Sequence, residues 1–221
     1  MMIRDSADET SFLFAGTTRA LLVTSGRSAP GLVRYAKRLV RHPRIEIVLT
    51  DGDPASLKGI GQFSGHRLIV PAGVSVPRRL GSVTHVRDGD RIDIGRDQGE
   101  RRVSLEVHAL PGRRNDSITL LDPVSRVLFA GDALGVQGSR GLTLATSRDA
   151  FRTGLGAWRA RTDGRYDTIY TAHNHQWLTR PGYVDAVHAA VSGAPVTSPQ
   201  PGYQAFTSGT GEFLAWVFVP Q

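Results

Sequence analysis

The sequence predicts an α+β protein, with a parallel βαβ unit first, antiparallel strands in the middle and strand–helix segments after them. Three observations carry this. Leu21, Leu22 and Val23 form a continuous apolar run, as in a strand buried on both faces. In "PGLVRYAKRLVRHP", Leu32, Val33, Ala36, Leu39 and Val40 recur at helical spacing. In "RRVSLEVHALPG", Val103, Leu105, Val107 and Ala109 alternate with Ser104, Glu106 and His108, the period of a strand.

The elements follow in order. "SFLFAGTTRALLVTSG" reads as two strands around a Gly-Thr-Thr turn. Pro30 suits the start of the first helix and Pro43 ends its pattern. "RIEIVLT" is a strand, "ASLKGIGQF" a short helix and "HRLIVPAGV" another strand, giving a right-handed βαβ arrangement. Asp88-Gly89-Asp90, between two short β-like runs, is a hairpin signal. His108 is expected to face solvent or a second sheet. "DSITLLDPVSRVLFAGDAL" reads strand, Asp-Pro turn, strand. Ser147 suits a helix N-cap, with Phe151, Leu155 and Trp158 on one face of the helix that follows. "YDTIYTAH" is a strand ending in histidine. "PGYVDAVHAAVSG" is a helix between Pro181 and Gly193. "GYQAFTSGTGEFLAWVFVP" is a closing hairpin whose aromatic, alternating half suits a core strand.

Composition narrows the function classes. The 221 residues suit one domain over 1–221, with enough chain to bury a sizeable core. No apolar run reaches membrane-spanning length, and the acidic, polar N-terminus lacks a secretory pattern, so a cytoplasmic protein is expected. With no cysteine, disulfides and thiolate metal sites are excluded. The formal charge of +7 comes mostly from scattered arginines without interleaved aromatics, so nucleic acid is not the expected partner. A small-molecule substrate is expected, and the sequence leaves open whether the chain forms a homo-oligomer.

The order of motifs resembles the metallo-β-lactamase superfamily, in its small hydrolase branch, over almost the whole length. "TSFLFAGTTRALLVTSG" is similar to its opening hairpin. "IVLTDGDPASLKGIGQF" is similar to the segment carrying its His-x-His-x-Asp-His signature. "DGDRIDIG", "LEVHALPGRRNDSITLLDPVSRVLFAGDAL" and "YDTIYTAHNHQWLTRPGYVDAVHAAVSG" are similar to its later blocks. The resemblance implies a four-layer αβ/βα sandwich: two mixed sheets, helices outside, and the active site at one edge. It also places the metal ligands. The first two histidines of the signature fall on Asp51 and Asp53, its aspartate on Ala55 and its last histidine on Ser56. The histidine after Pro-Gly falls on Arg113. The bridging aspartate is kept as Asp132 and the final histidine as His173. The acid of the opening strand is replaced by Thr24.

That substitution pattern changes the implied chemistry. In the family two metals activate water and polarise the substrate. Here a guanidinium, which has no lone pair to give and keeps its charge, stands among the ligand positions. The resulting expectation is an enzyme without cofactor that acts on a small organic molecule, by hydrolase- or lyase/cyclase-type acid–base chemistry, in a specialised biosynthetic pathway. Asp51, Asp53, Arg113, Asp132 and His173 are the candidate catalytic residues. Ser56, Arg114, Asn115 and His175 are the candidate substrate-binding residues. Two alternatives stand beside it. One is a catalytically inactive binding or partner subunit. The other is a divalent metal held by Asp51, Asp53, Asp132 and His173, for which carboxylate oxygens suit a hard cation. Ser56 with Asp53 and His173 also has the composition of a triad, although the glycine elbow that exposes such a serine is missing.

Overall fold

The computed structural model describes residues 1–5, 9–24, 30–40, 42–97, 99–135, 141–172, 181–209 and 214–221. The first sheet holds six strands in sequence order: β1 (Met2–Arg4), β2 (Thr10–Ala15), β3 (Ala20–Thr24), β4 (Ile45–Leu49), β5 (Leu68–Pro71) and β6 (Val83–Val86). β1, β2 and β3 pair antiparallel, and β3 to β6 pair parallel. The helix α1 (Leu32–Val40) crosses between β3 and β4, as a parallel neighbour requires. The expected "ASLKGIGQF" helix is split into α2 (Pro54–Leu57) and a 3-10 turn over Ile60–Phe63.

The second sheet runs in the order β12 (Thr168–Thr171), β10 (Val127–Gly131), β9 (Ile118–Asp122), β8 (Arg102–Ala109) and β7 (Arg91–Arg96). Its only parallel pairing among the described residues joins β10 to β12, and α3 (Arg148–Thr162) lies between them in sequence. Ser147 caps α3, its hydroxyl accepting the Ala150 N–H. α4 (Gly182–Ser192) follows β12. A small third sheet joins β11 (Leu142–Thr143), β14 (Ala215–Pro220) and β13 (Tyr203–Ser208). The expected C-terminal hairpin is β13–β14, and its core position holds, with Ala215, Val217 and Phe218 buried.

One expected hairpin is absent. β6 pairs with β5 and β7 pairs with β8, so Asp88-Gly89-Asp90 carries the chain from one sheet to the other. The turn chemistry is present: Gly89 has φ 87° and the Arg87 N–H donates to the Asp90 carboxylate. A turn signal reports a reversal, and does not specify which strand each arm will join.

Three apolar layers follow from side-chain alternation. Leu21, Val23, Val48, Leu105, Val107, Ile118 and Leu120 fill the space between the two large sheets. Ala20, Leu22, Ile45, Ile47 and Leu49 point the other way and pack with Leu32, Val33 and Ala36 of α1. Leu121, Leu128 and Ala130 face Phe151, Leu155 and Trp158 of α3 and Tyr183 and Val187 of α4. Neighbours on one strand therefore enter different layers, which is why these strands read as unbroken apolar runs. The four-layer αβ/βα order of the predicted α+β sandwich is the one observed. His108 is a correction: it is buried on the outer side of its sheet, with Arg161 of α3 and Asp88 among its charged neighbours. Among the described residues no helix is long and apolar enough to cross a membrane.

Candidate functional site

The strand ends of both sheets are tied together at one edge of the sandwich. The Thr50 carbonyl, after β4, accepts the Ile118 N–H of β9 at 2.9 Å. The Ala172 N–H, after β12, donates to the Gly131 carbonyl of β10 at 3.0 Å, and the Ala172 carbonyl accepts the Thr10 N–H of β2 at 2.8 Å. Gly131 has φ 52°, and a Cβ there would lie 2.5 Å from Thr50 Oγ1. Only glycine permits both this turn and this approach. The approach brings Asp132 from one sheet to Asp51 from the other.

Asp51 is 1% exposed and Asp132 3%. The Asp53 N–H donates to Asp51 Oδ1 at 3.0 Å. Burial pushes the Asp51 carboxyl up to about 7; the Asp132 charge adds to this, the Asp53 N–H opposes it, and Asp116 and Asp53 add smaller repulsions. Asp51 can therefore hold or release a proton near neutrality.

Arg113 enters from the loop between β8 and β9. Its Nη2 lies 3.6 Å from Asp53 Oδ2 and its Nε 3.3 Å from Asp132 Oδ2. These are ion pairs rather than aligned hydrogen bonds, since the buried Nε finds no hydrogen-bond partner. The loop is seated on α3: Gly112 lies so close to Phe151 that a Cβ would come within 2.4 Å of the ring, and the Gly112 carbonyl accepts the Ala145 N–H at 2.8 Å.

Arg114 reaches the other side of the Asp51-Gly52-Asp53 turn. Its Nη2 donates to the Gly52 carbonyl at 3.4 Å, and its Nε lies 3.8 Å from Asp116 Oδ1. Asp116 is the residue the sequence reading passed over. Its Oδ2 stands where a Cβ on Gly52 would approach to 2.7 Å, which explains the glycine between two aspartates. The available signal was an acid three residues after Arg113 in the same loop. Asn115 is exposed and does not join the pairs formed by its neighbours. The Ser56 side chain, His173 and His175 lie outside the described residues.

The cluster thus comprises Asp51, Asp53, Asp116 and Asp132 with the guanidinium groups of Arg113 and Arg114. Among the described residues, the cluster does not suit metals of the kind the resemblance implies. Among the described residues no three histidine, aspartate or glutamate side chains are arranged to hold an ion. The Arg113 guanidinium lies between two of the carboxylates that would have to coordinate one, and it can only donate hydrogen bonds.

The sequence profile of the metallo-beta-lactamase superfamily matches residues 32–173, more than half of the chain. The chain belongs to the metallo-β-lactamase superfamily. The match spans α1 to the residue after Ala172, and so contains both halves of the cluster. Among solved structures, the chain is similar to ETHE1 from Myxococcus xanthus, at 17% identity and a TM-score of 0.62, covering 87% of this chain and 84% of that one. It is also similar to a metallo-beta-lactamase from Pontibacter korlensis, at 14% identity and a TM-score of 0.64, covering 88% and 93%. At such identities the likeness shows the fold. No curated protein matches the sequence.

Proposed function

We propose that this chain is an enzyme that uses the metallo-β-lactamase fold without zinc, acting on a small organic substrate by acid–base chemistry of the hydrolase or lyase/cyclase type. The observation that carries the reading is the Arg113 guanidinium, paired with Asp53 and Asp132 at a position where the family resemblance puts a metal ligand. A permanent cation there offers N–H donors to an oxygen that gains negative charge during reaction, the role a Lewis acid otherwise fills. Asp51, with its carboxyl pushed up to about 7, is suited to exchange a proton with the substrate. Buried Asp132 holds Arg113 in place and supplies a fixed negative charge beside it. His173, which follows Ala172 directly in sequence, is the candidate second base on the resemblance. The substrate class this supports is a carbonyl compound, such as an ester, a thioester or an oxo compound open to elimination or cyclisation.

The test is a product-detecting mass-spectrometric assay against aryl esters, acyl thioesters and hydroxyacyl thioesters. The protein is first stripped with chelator and its metal content measured. Turnover is expected to survive stripping, to be unchanged by added zinc, and to fall about 100-fold or more in Asp132→Ala and in Asp51→Asn. Turnover that disappears on chelation and returns with zinc would refute the reading.

A further inference from the structure

An open groove of about 340 Å³ runs between the edge strand β1 and α1, lined by Met2, Ile3, Leu32, Tyr35 and Leu39 among others. No residue of the carboxylate cluster lines it. Tyr35 stands 51% exposed at its rim. α1 carries Arg34, Lys37 and Arg38, all exposed, and no acidic residue. Among the described residues nothing pairs with these three cations. Elsewhere Arg19, Arg91, Arg102, Arg126, Arg159 and Arg165 each meet a carboxylate. Asp5 also lines the groove, and its carboxylate accepts the Glu9 N–H at 3.0 Å.

We propose that this groove docks an acidic amphipathic helix of a partner protein. The apolar floor takes the partner's apolar stripe, and Arg38 and Arg34, following Tyr35 around the helix surface, meet its acidic flank. Leu32, Tyr35 and Leu39 share one side of α1 at i, i+3 and i+7, so the floor is as long as two turns of a docked helix. A second copy of the chain is a poor occupant, because a two-fold contact would set two basic helices against each other. A nucleic-acid backbone would use the cations and leave the apolar floor unfilled.

Fluorescence anisotropy on the intact protein tests the assignment, with a labelled helical peptide of about 18 residues bearing leucines at i, i+3, i+4 and i+7 and glutamates elsewhere. The controls are a shuffled peptide of the same composition, a version with lysine for glutamate, a short DNA duplex and phosphatidylglycerol vesicles. Binding of the acidic amphipathic peptide is expected, weakening from about 50 to about 300 mM salt. It should drop about tenfold or more in Tyr35→Ala and in the Arg34→Glu/Lys37→Glu/Arg38→Glu variant. All these positions are exposed, so circular dichroism should show both variants folded. Absence of peptide binding overturns the proposal, as does equal binding of the shuffled or lysine peptide, or binding indifferent to both variants. Tighter binding of duplex or vesicles than of peptide overturns it too, as does sedimentation showing a dimer that the charge reversal dissolves.

Discussion

At the scale of single residues, Asp51 sets the site's response to pH. Its folded-state carboxyl is raised to about 7, well above the ordinary aspartate range, mainly by burial. The folded protein therefore binds this proton more tightly than the unfolded chain does. Its contribution to stability is complete below the unfolded value and is lost as pH rises toward about 7. Asp51→Asn keeps an oxygen to accept the Asp53 N–H and carries no charge to bury. The variant is expected to be more stable than the parent at about pH 8, by on the order of 2–4 kcal/mol, and to converge with it near about pH 4. Urea titrations at several pH values measure this; equal stabilities at pH 8 would show that the carboxyl is not strained.

At the scale of elements, the Arg113 loop depends on α3, whose first turn places the Phe151 ring under Gly112. Gly112→Ala would drive a methyl into that ring, which belongs to the buried layer with Leu155 and Trp158. A loss of about 2 kcal/mol or more is expected, and Phe151→Leu in the same chain should recover part of it. A double-mutant cycle by denaturant unfolding reads the coupling; strict additivity would mean the loop is not seated on the helix. The same element shows what the sequence could tell. The pairing of Ser147 with Phe151, Leu155 and Trp158 was legible, because a cap and a stripe are local signals. So were Asp51, Asp53, Arg113 and Asp132, through the resemblance. The contact of Phe151 with Gly112 spans separate segments, and no local pattern encodes it. Asp116 escaped for the same reason, since only the folded turn reveals that Gly52 makes room for it. The failed hairpin at Asp88-Gly89-Asp90 is a non-local choice as well: both arms are good strands, and the sheet each joins is decided by distant partners.

At the scale of the whole molecule, two buried ionisable groups in different layers pull the stability in opposite directions. Asp51 lies at the edge where the two large sheets converge, while His108 lies on the outer side of the second sheet. Burial holds the His108 imidazole below the ordinary histidine range, against the pull of Glu106 and Asp88 and with Arg161 reinforcing it. Glu106 does not offset this fully, because its carboxylate is already shared with Arg91 and Arg165, at 2.8 and 2.7 Å. The folded protein thus binds the histidine proton more weakly than the unfolded chain does, and stability is lost as pH falls from about 6.5 through the folded value. Asp51 gives the opposite slope over an overlapping range, so the two largely cancel below about pH 6.5 and the parent should show a plateau there. Asp51→Asn is expected to uncover the loss of stability toward acid, His108→Gln to uncover the loss as pH rises from about 4 to about 7, and the double variant to show neither, leaving stability nearly flat between about pH 5 and about pH 8. Separate layers and no shared partner make the two effects additive within about 0.5 kcal/mol. An acid limb that persists in the double variant would move its origin to buried Glu106, whose carboxyl burial pushes up but Arg165 and Arg91 hold below its ordinary range; Asp93 and Asp167 are also held low but are too exposed to contribute much.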